Sequence, residues 1–146
     1  WHELGAMQWV FAVAPRHPLA RAPQPVQRET VLEHRAVVVA DSSRRPDVRG
    51  YGVLGGQTGL AVPSMRAKIQ AQRDGLGVGW LPRERIASLL RRGELKELQM
   101  ADPREPNTLY LAWRGDHSGR ALEWWVGQLQ NPRLAARLVR GIDGFA

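Results

Sequence analysis

The sequence predicts an α/β domain built on a largely parallel sheet, and three observations carry that prediction. Apolar runs of strand length recur at Gln8 to Ala14, Arg35 to Ala40 and Thr108 to Trp113. Between them lie segments whose apolar residues fall at helical spacing, such as Ile86, Leu89 and Leu90. The two periodicities alternate along the chain, which is the pattern of strands joined by crossover helices.

Each element follows from local chemistry. Gln8-Trp9-Val10-Phe11-Ala12-Val13-Ala14 is continuously apolar after its first residue and is stopped by Pro15, as expected of a strand covered on both faces. A turn over Pro15 to Pro18 and a connector with Pro23 and Pro25 lead to a helical turn around Glu29 to Glu33. Arg35 to Ala40 is a second buried strand, closed by the polar loop Asp41-Ser42-Ser43-Arg44-Arg45-Pro46. The Gly-rich stretch from Arg49 to Leu60 reads as a strand with a hairpin-like turn.

Leu60 to Val62 is a short strand, and Ser64 then caps a helix that runs to Asp74 and stops at Gly75. The next helix starts at Pro82, ends before Gly93 and turns Ile86, Leu89 and Leu90 inward. After an Asp- and Pro-rich loop over residues 101 to 107 comes the third apolar strand, Thr108 to Trp113. Ser118 caps a helix with Leu122, Trp125, Val126 and Leu129 on one face. A last helix from Asn131-Pro132 to Gly141 puts Leu134 and Leu138 inward.

Composition narrows the function classes. With 146 residues, 43% hydrophobic and 24% charged, the chain suits one compact soluble unit. It has no cysteine, which excludes a disulfide framework, a thiolate metal site and a thiol redox sensor. No window approaches the length of a membrane span, and no export signal is visible. The chain begins at Trp1 rather than Met, within what reads as the approach to a strand, so a piece of a longer protein is expected. The net charge of +7 is carried almost wholly by Arg, with Lys only at 68 and 96. These Arg are scattered among acids and apolar residues, as on a solvated face rather than a phosphate-tracking patch.

Val10-Phe11-Ala12-Val13 followed by Arg16-His17-Pro18-Leu19-Ala20 is similar to the first crossover strand and His-Pro-Leu turn of LysR-type effector-binding domains. Gly75 to Pro82 with Gly93-Glu94-Leu95 resembles that family's glycine-rich strand, Leu-Pro step and closing Gly-x-Leu. Leu109 to Trp113 and the Trp124-Trp125 helix resemble its return crossover and terminal helix. The resemblance spans residues 9 to 130. It implies a periplasmic-binding-protein-like effector domain, mainly the second subdomain plus the C-terminal crossover strand and helix of the first.

On that pattern residues 1–14 are the crossover strand, 15–106 the second subdomain, and 107–146 the return crossover with C-terminal helices. The resemblance also implies a small-molecule effector and a homo-oligomer, dimer or tetramer, in the cytoplasm. DNA would be read only through a helix-turn-helix that this sequence does not contain. No cofactor and no membrane partner are implied.

Ligands of open α/β sheets sit beyond the carboxyl ends of strands, which singles out three loops. Ser42, Ser43 and Arg44 offer two hydroxyls and a guanidinium to a carboxylate, so an anionic metabolite is the expected effector. They equally suit turn hydrogen bonds and a pair with Asp41 or Asp47. Ser64 stands at a helix N-terminus, as a cap or as a cap that also meets an anion. Val78, Gly79 and Trp80 supply a strand end, a close backbone approach and a flat apolar wall; Trp80 serves equally well as core.

Gly75, Gly77 and Gly79 match neither a P-loop nor a dinucleotide fingerprint, and close strand packing accounts for them. His2, His17, His34 and His117 lack metal-ligand spacing, and His17 before Pro18 reads as structural or exposed. No nucleophile elbow or activated pair suggests an enzyme. Two other readings are a solute-binding protein of the same fold, which requires an export signal upstream, and a small α/β enzyme.

Overall fold

The computed structural model describes residues 1–40, 54–114 and 119–140. The element order is β1 His2–Met7, β2 Trp9–Val13, α1 Arg28–Leu32, β3 Ala36–Val39 and β4 Gly59–Val62. Then come α2 Met65–Arg73, β5 Gly79–Pro82, α3 Arg83–Arg91, β6 Lys96–Leu98, β7 Asn107–Leu111, α4 Arg120–Leu129 and α5 Pro132–Arg140. The polar loop after β3, residues 49–53 of the Gly-rich stretch, the Ser118 cap and the Gly141 stop lie outside the described residues.

β2 is central to the main sheet. It pairs antiparallel with β5, from Trp9 opposite Pro82 to Ala12 opposite Gly79, and antiparallel with β6, from Phe11 opposite Leu98 to Val13 opposite Lys96. β3 and β4 pair in parallel, and a parallel bridge between Ala36 and Val78 joins them to the β5 side. The spatial order is therefore β4, β3, β5, β2, β6. Four strands run the same way and β2 runs against them, so the expected largely parallel sheet is present with one reversed strand, between β5 and the edge strand β6.

Alternation along β2 divides the core between two faces. Phe11 and Val13 pack with Leu19, Val26, Val31, Val78 and Leu98 on one face. Val10 and Ala12 pack with Ile69, Leu81, Ile86, Leu89 and Leu95 on the other. The second face is covered by α2 and α3, whose Ile69, Ile86 and Leu89 are almost fully buried. Gln72 of α2, 0% exposed, donates its amide to Ala12 O at 3.1 Å and Gly79 O at 3.0 Å, fastening helix to sheet.

The ends of these helices follow their chemistry. Ser64 Oγ accepts from Ala67 N at 3.1 Å, satisfying one free donor of the first turn of α2. Gly75, at φ 78°, ends it with Leu76 N donating to Ala71 O at 2.9 Å. Pro82 lies just outside α3, as its extended N-cap and the last residue of β5, rather than inside its first turn. Gly77 is needed for contact: a Cβ there would lie 2.6 Å from Arg35 O. Surface pairs, Arg83 with Glu97 at 2.6 Å and Arg92 with Glu94 at 2.6 Å, bear out the solvated-face reading of these charges.

β1 and β7 form a separate antiparallel ribbon with an irregularity between Glu3 and Gly5, and α5 packs on β1. Here the sequence expectations need correction. β7 is mostly exposed and not a buried strand. Trp125 is 51% exposed, and Leu129 alone of its predicted stripe is fully buried. In α5 the buried residues are Ala135 and Val139, whereas Leu138 is exposed. The Ala135 and Val139 side of α5 is the one that meets β1, with Val139 against Gly5.

Candidate functional site

A cavity of about 250 Å³ opens on the first face of the sheet. Four groups of residues build it. The sheet supplies Phe11, Ala36, Val78, Gly79 and Trp80; α1 and its approach supply Val26, Arg28 and Val31; Leu54 and Gln57 close one side, and Met100 and Asp102 the other. Trp80 and Phe11, opposite each other on neighbouring strands, meet edge to face with centroids 5.4 Å apart. Their rings form an apolar floor.

Gln57 latches the wall. Its Nε2 donates to Val31 O at 3.0 Å and His34 O at 2.8 Å, and its Oε1 accepts from Leu54 N at 3.2 Å. Those bonds satisfy a polar group that burial would otherwise penalise by about 1–3 kcal/mol. The opposite wall is held by Val26 N donating to Gln99 O at 2.8 Å and Ala101 N donating to Val26 O at 3.0 Å. Arg28 and Asp102, both exposed, are the charged members of the lining.

Of the residues singled out from sequence, Val78, Gly79 and Trp80 come together in this lining. They arrive differently from the expectation. Val78 already bridges to Ala36 and Gly79 opens β5, so Gly79 and Trp80 lie within a strand and not in a loop past its carboxyl end. Ser64 caps α2 and is exposed, apart from this lining. Ser42, Ser43 and Arg44 lie outside the described residues. Arg28, Gln57, Met100 and Asp102 were not foreseen, because no local pattern joins them.

Beneath the sheet, Lys68 of α2 is 6% exposed. Burial, and secondarily the positive charge of Arg104, lowers its ammonium pKa to about 8. His17 is structural, as its position before Pro18 suggested: Nδ1 accepts from Leu19 N at 3.2 Å and caps the 3₁₀ turn at Pro18–Arg21. Burial, then the neighbouring His34, lowers its pKa. Among the described residues no group of acids and histidines could hold a metal ion, and no helix is long and apolar enough to cross a membrane.

Comparison with known proteins adds the family. The model of the LysR substrate binding domain matches residues 1–132. The HTH-type transcriptional regulator YeeY of Escherichia coli K12, itself uncharacterised, is 32% identical over 97% of this chain and 46% of its own length. The effector binding domain of QuiR, solved with shikimate, superposes with TM-score 0.64 at 19% identity, over 92% of this chain and 64% of that one. The probable transcriptional regulator PA0477 of Pseudomonas aeruginosa gives 0.70 at 20% identity, over 88% and 44%. At such identities the structures establish the fold, which is periplasmic-binding-protein-like. The chain spans about half the length of YeeY.

Proposed function

The chain belongs to the LysR substrate binding domain family, and on that premise we propose that the cavity floored by Trp80 and Phe11 takes part in binding the small-molecule effector of a transcriptional regulator. One observation carries the assignment: residues from distant stretches of the chain converge on an apolar space of about 250 Å³ with a charged rim. Ligand sites have this character, an apolar lining with a few placed polar groups. Family membership and the regulator YeeY favour this over solute transport.

In this reading residues 1–14 enter from a first subdomain, 15–106 form the second, and 107–146 return. Ser64, apart from this lining, and Ser42, Ser43 and Arg44, outside the described residues, are proposed as further contacts of an effector that bears a carboxylate. An occupied site ties α1 and the Gln57 segment to β5, and shifts the balance between arrangements of a dimer or tetramer. DNA contact belongs to a helix-turn-helix outside this sequence, and the setting is the cytoplasm.

Calorimetry with small carboxylic acids, with and without an α-amino group, tests the site. Met100→Trp fills the cavity from a half-buried position, and its thermal midpoint reports folding. Binding to the parent and its loss in a folded variant is the expected result. A ligand that binds the folded variant as tightly as the parent would place the site elsewhere.

A further inference from the structure

We infer that the ligand is a zwitterion with a compact apolar side chain, an α-amino acid of the leucine, methionine or phenylalanine kind, its carboxylate on Arg28 and its ammonium on Asp102. The inference rests on the effector reading of the cavity and names what it takes.

Geometry places the two charges together. Val26 and Met100 form a parallel bridge, Arg28 and Asp102 each stand two residues beyond it, and both line the cavity. Among the described residues neither is in an ion pair; the three pairs present join Arg73 with Glu94, Arg83 with Glu97, and Arg92 with Glu94. Two opposite charges are thus held beside one opening without neutralising each other. A simple carboxylate would satisfy Arg28 and be repelled by Asp102, and a simple amine the reverse. A group carrying both charges on one carbon satisfies both.

The interior fixes the rest of the molecule. Both Nε2 hydrogens of Gln57 and one acceptor position of its Oε1 are already used. The other interior side chains, among them Phe11, Val31, Trp80 and Met100, are apolar, so the buried part of the ligand is apolar as well. An apolar cavity of about 150 Å³ holds benzene, and 250 Å³ therefore admits a branched aliphatic, thioether or monocyclic side chain.

The test is calorimetric titration of this chain with L-leucine, L-methionine and L-phenylalanine, beside the deaminated acid and the decarboxylated amine of each. At least one amino acid should bind, with both of its analogues weaker by about tenfold or more, as expected for loss of a charge-assisted hydrogen bond. Arg28→Gln should weaken the amino acid and the acid and tighten the amine, whose repulsion it removes; Asp102→Asn should weaken the amino acid and the amine and tighten the acid. Deaminated acids that bind as tightly as the amino acids overturn the inference. They leave the effector cavity standing if Met100→Trp abolishes their binding. Failure of all three amino acids to bind also overturns it.

Discussion

The main sheet and the β1–β7 ribbon with its helices cover their apolar side chains to different degrees. In the sheet, β2 has a strand on each side and a packed layer on each face, and Phe11, Ala12 and Val13 are at most 3% exposed. In the ribbon and the helix α4, Trp1, Tyr110, Trp124 and Trp125 remain more than half exposed, at 79%, 55%, 57% and 51%. The exposed rings pair with each other, Trp1 with Tyr110 and Trp124 with Trp125, instead of inserting into a core. An isolated two-stranded ribbon is marginal in water, so stability and the candidate site both reside in the sheet half.

Substitutions can break or sharpen that contrast. Leu81→Ala removes a side chain that is 0% exposed between β2, α2 and α3, and should cost about 3–5 kcal/mol in urea unfolding. A loss below 1 kcal/mol, on the same scale, would show that this core is loosely packed. Lys68→Met should act in the opposite direction. The folded pKa of Lys68 is about 8 against an ordinary 10.5. Between those values the unfolded chain holds a proton that the folded chain has released, so stability rises with pH across that window. Below about pH 8 the cost of burying the ammonium is fully present. The methionine variant should be more stable at pH 7 by on the order of 2 kcal/mol and lose the alkaline rise. An unchanged pH profile would contradict the burial of this amine.

Ser64→Ala should cost about 1 kcal/mol by removing the α2 cap. Trp124→Ala, in the exposed half, should change stability by less than about 0.5 kcal/mol. A larger loss at Trp124 than at Ser64 would reverse the ranking of the two regions.

The same contrast explains what could be read from the sequence. β2, β3, α2 and α3 were legible because their surroundings are complete: apolar periodicity reports a buried face, and here each such face is covered. Trp125 and Leu138 followed the same rule and are exposed, while Leu122 and Leu134 of the same stripes are half-buried, since α5 packs mainly on the two-stranded ribbon whereas α2 and α3 cover the wider main sheet. β1 lies in the stretch read as the approach to the crossover strand, but it carries no apolar run to mark it as a strand of its own. Within the site, Val78, Gly79 and Trp80 were legible through the glycine spacing and the indole. Arg28 and Asp102 were not, because the Val26–Met100 bridge that brings them together joins positions far apart in the chain. Gln57 sat in a Gly-rich stretch whose only marker was a lack of pattern.

Incorporation of 5-fluorotryptophan and ¹⁹F NMR would test the central claim most directly, with single Trp→Phe variants assigning the signals. The tightest binder among the amino acids and their deaminated analogues should move the Trp80 resonance and leave those of Trp124 and Trp125 in place. Movement at Trp124 or Trp125 with Trp80 unmoved would contradict the account and put the ligand on the exposed half of the molecule.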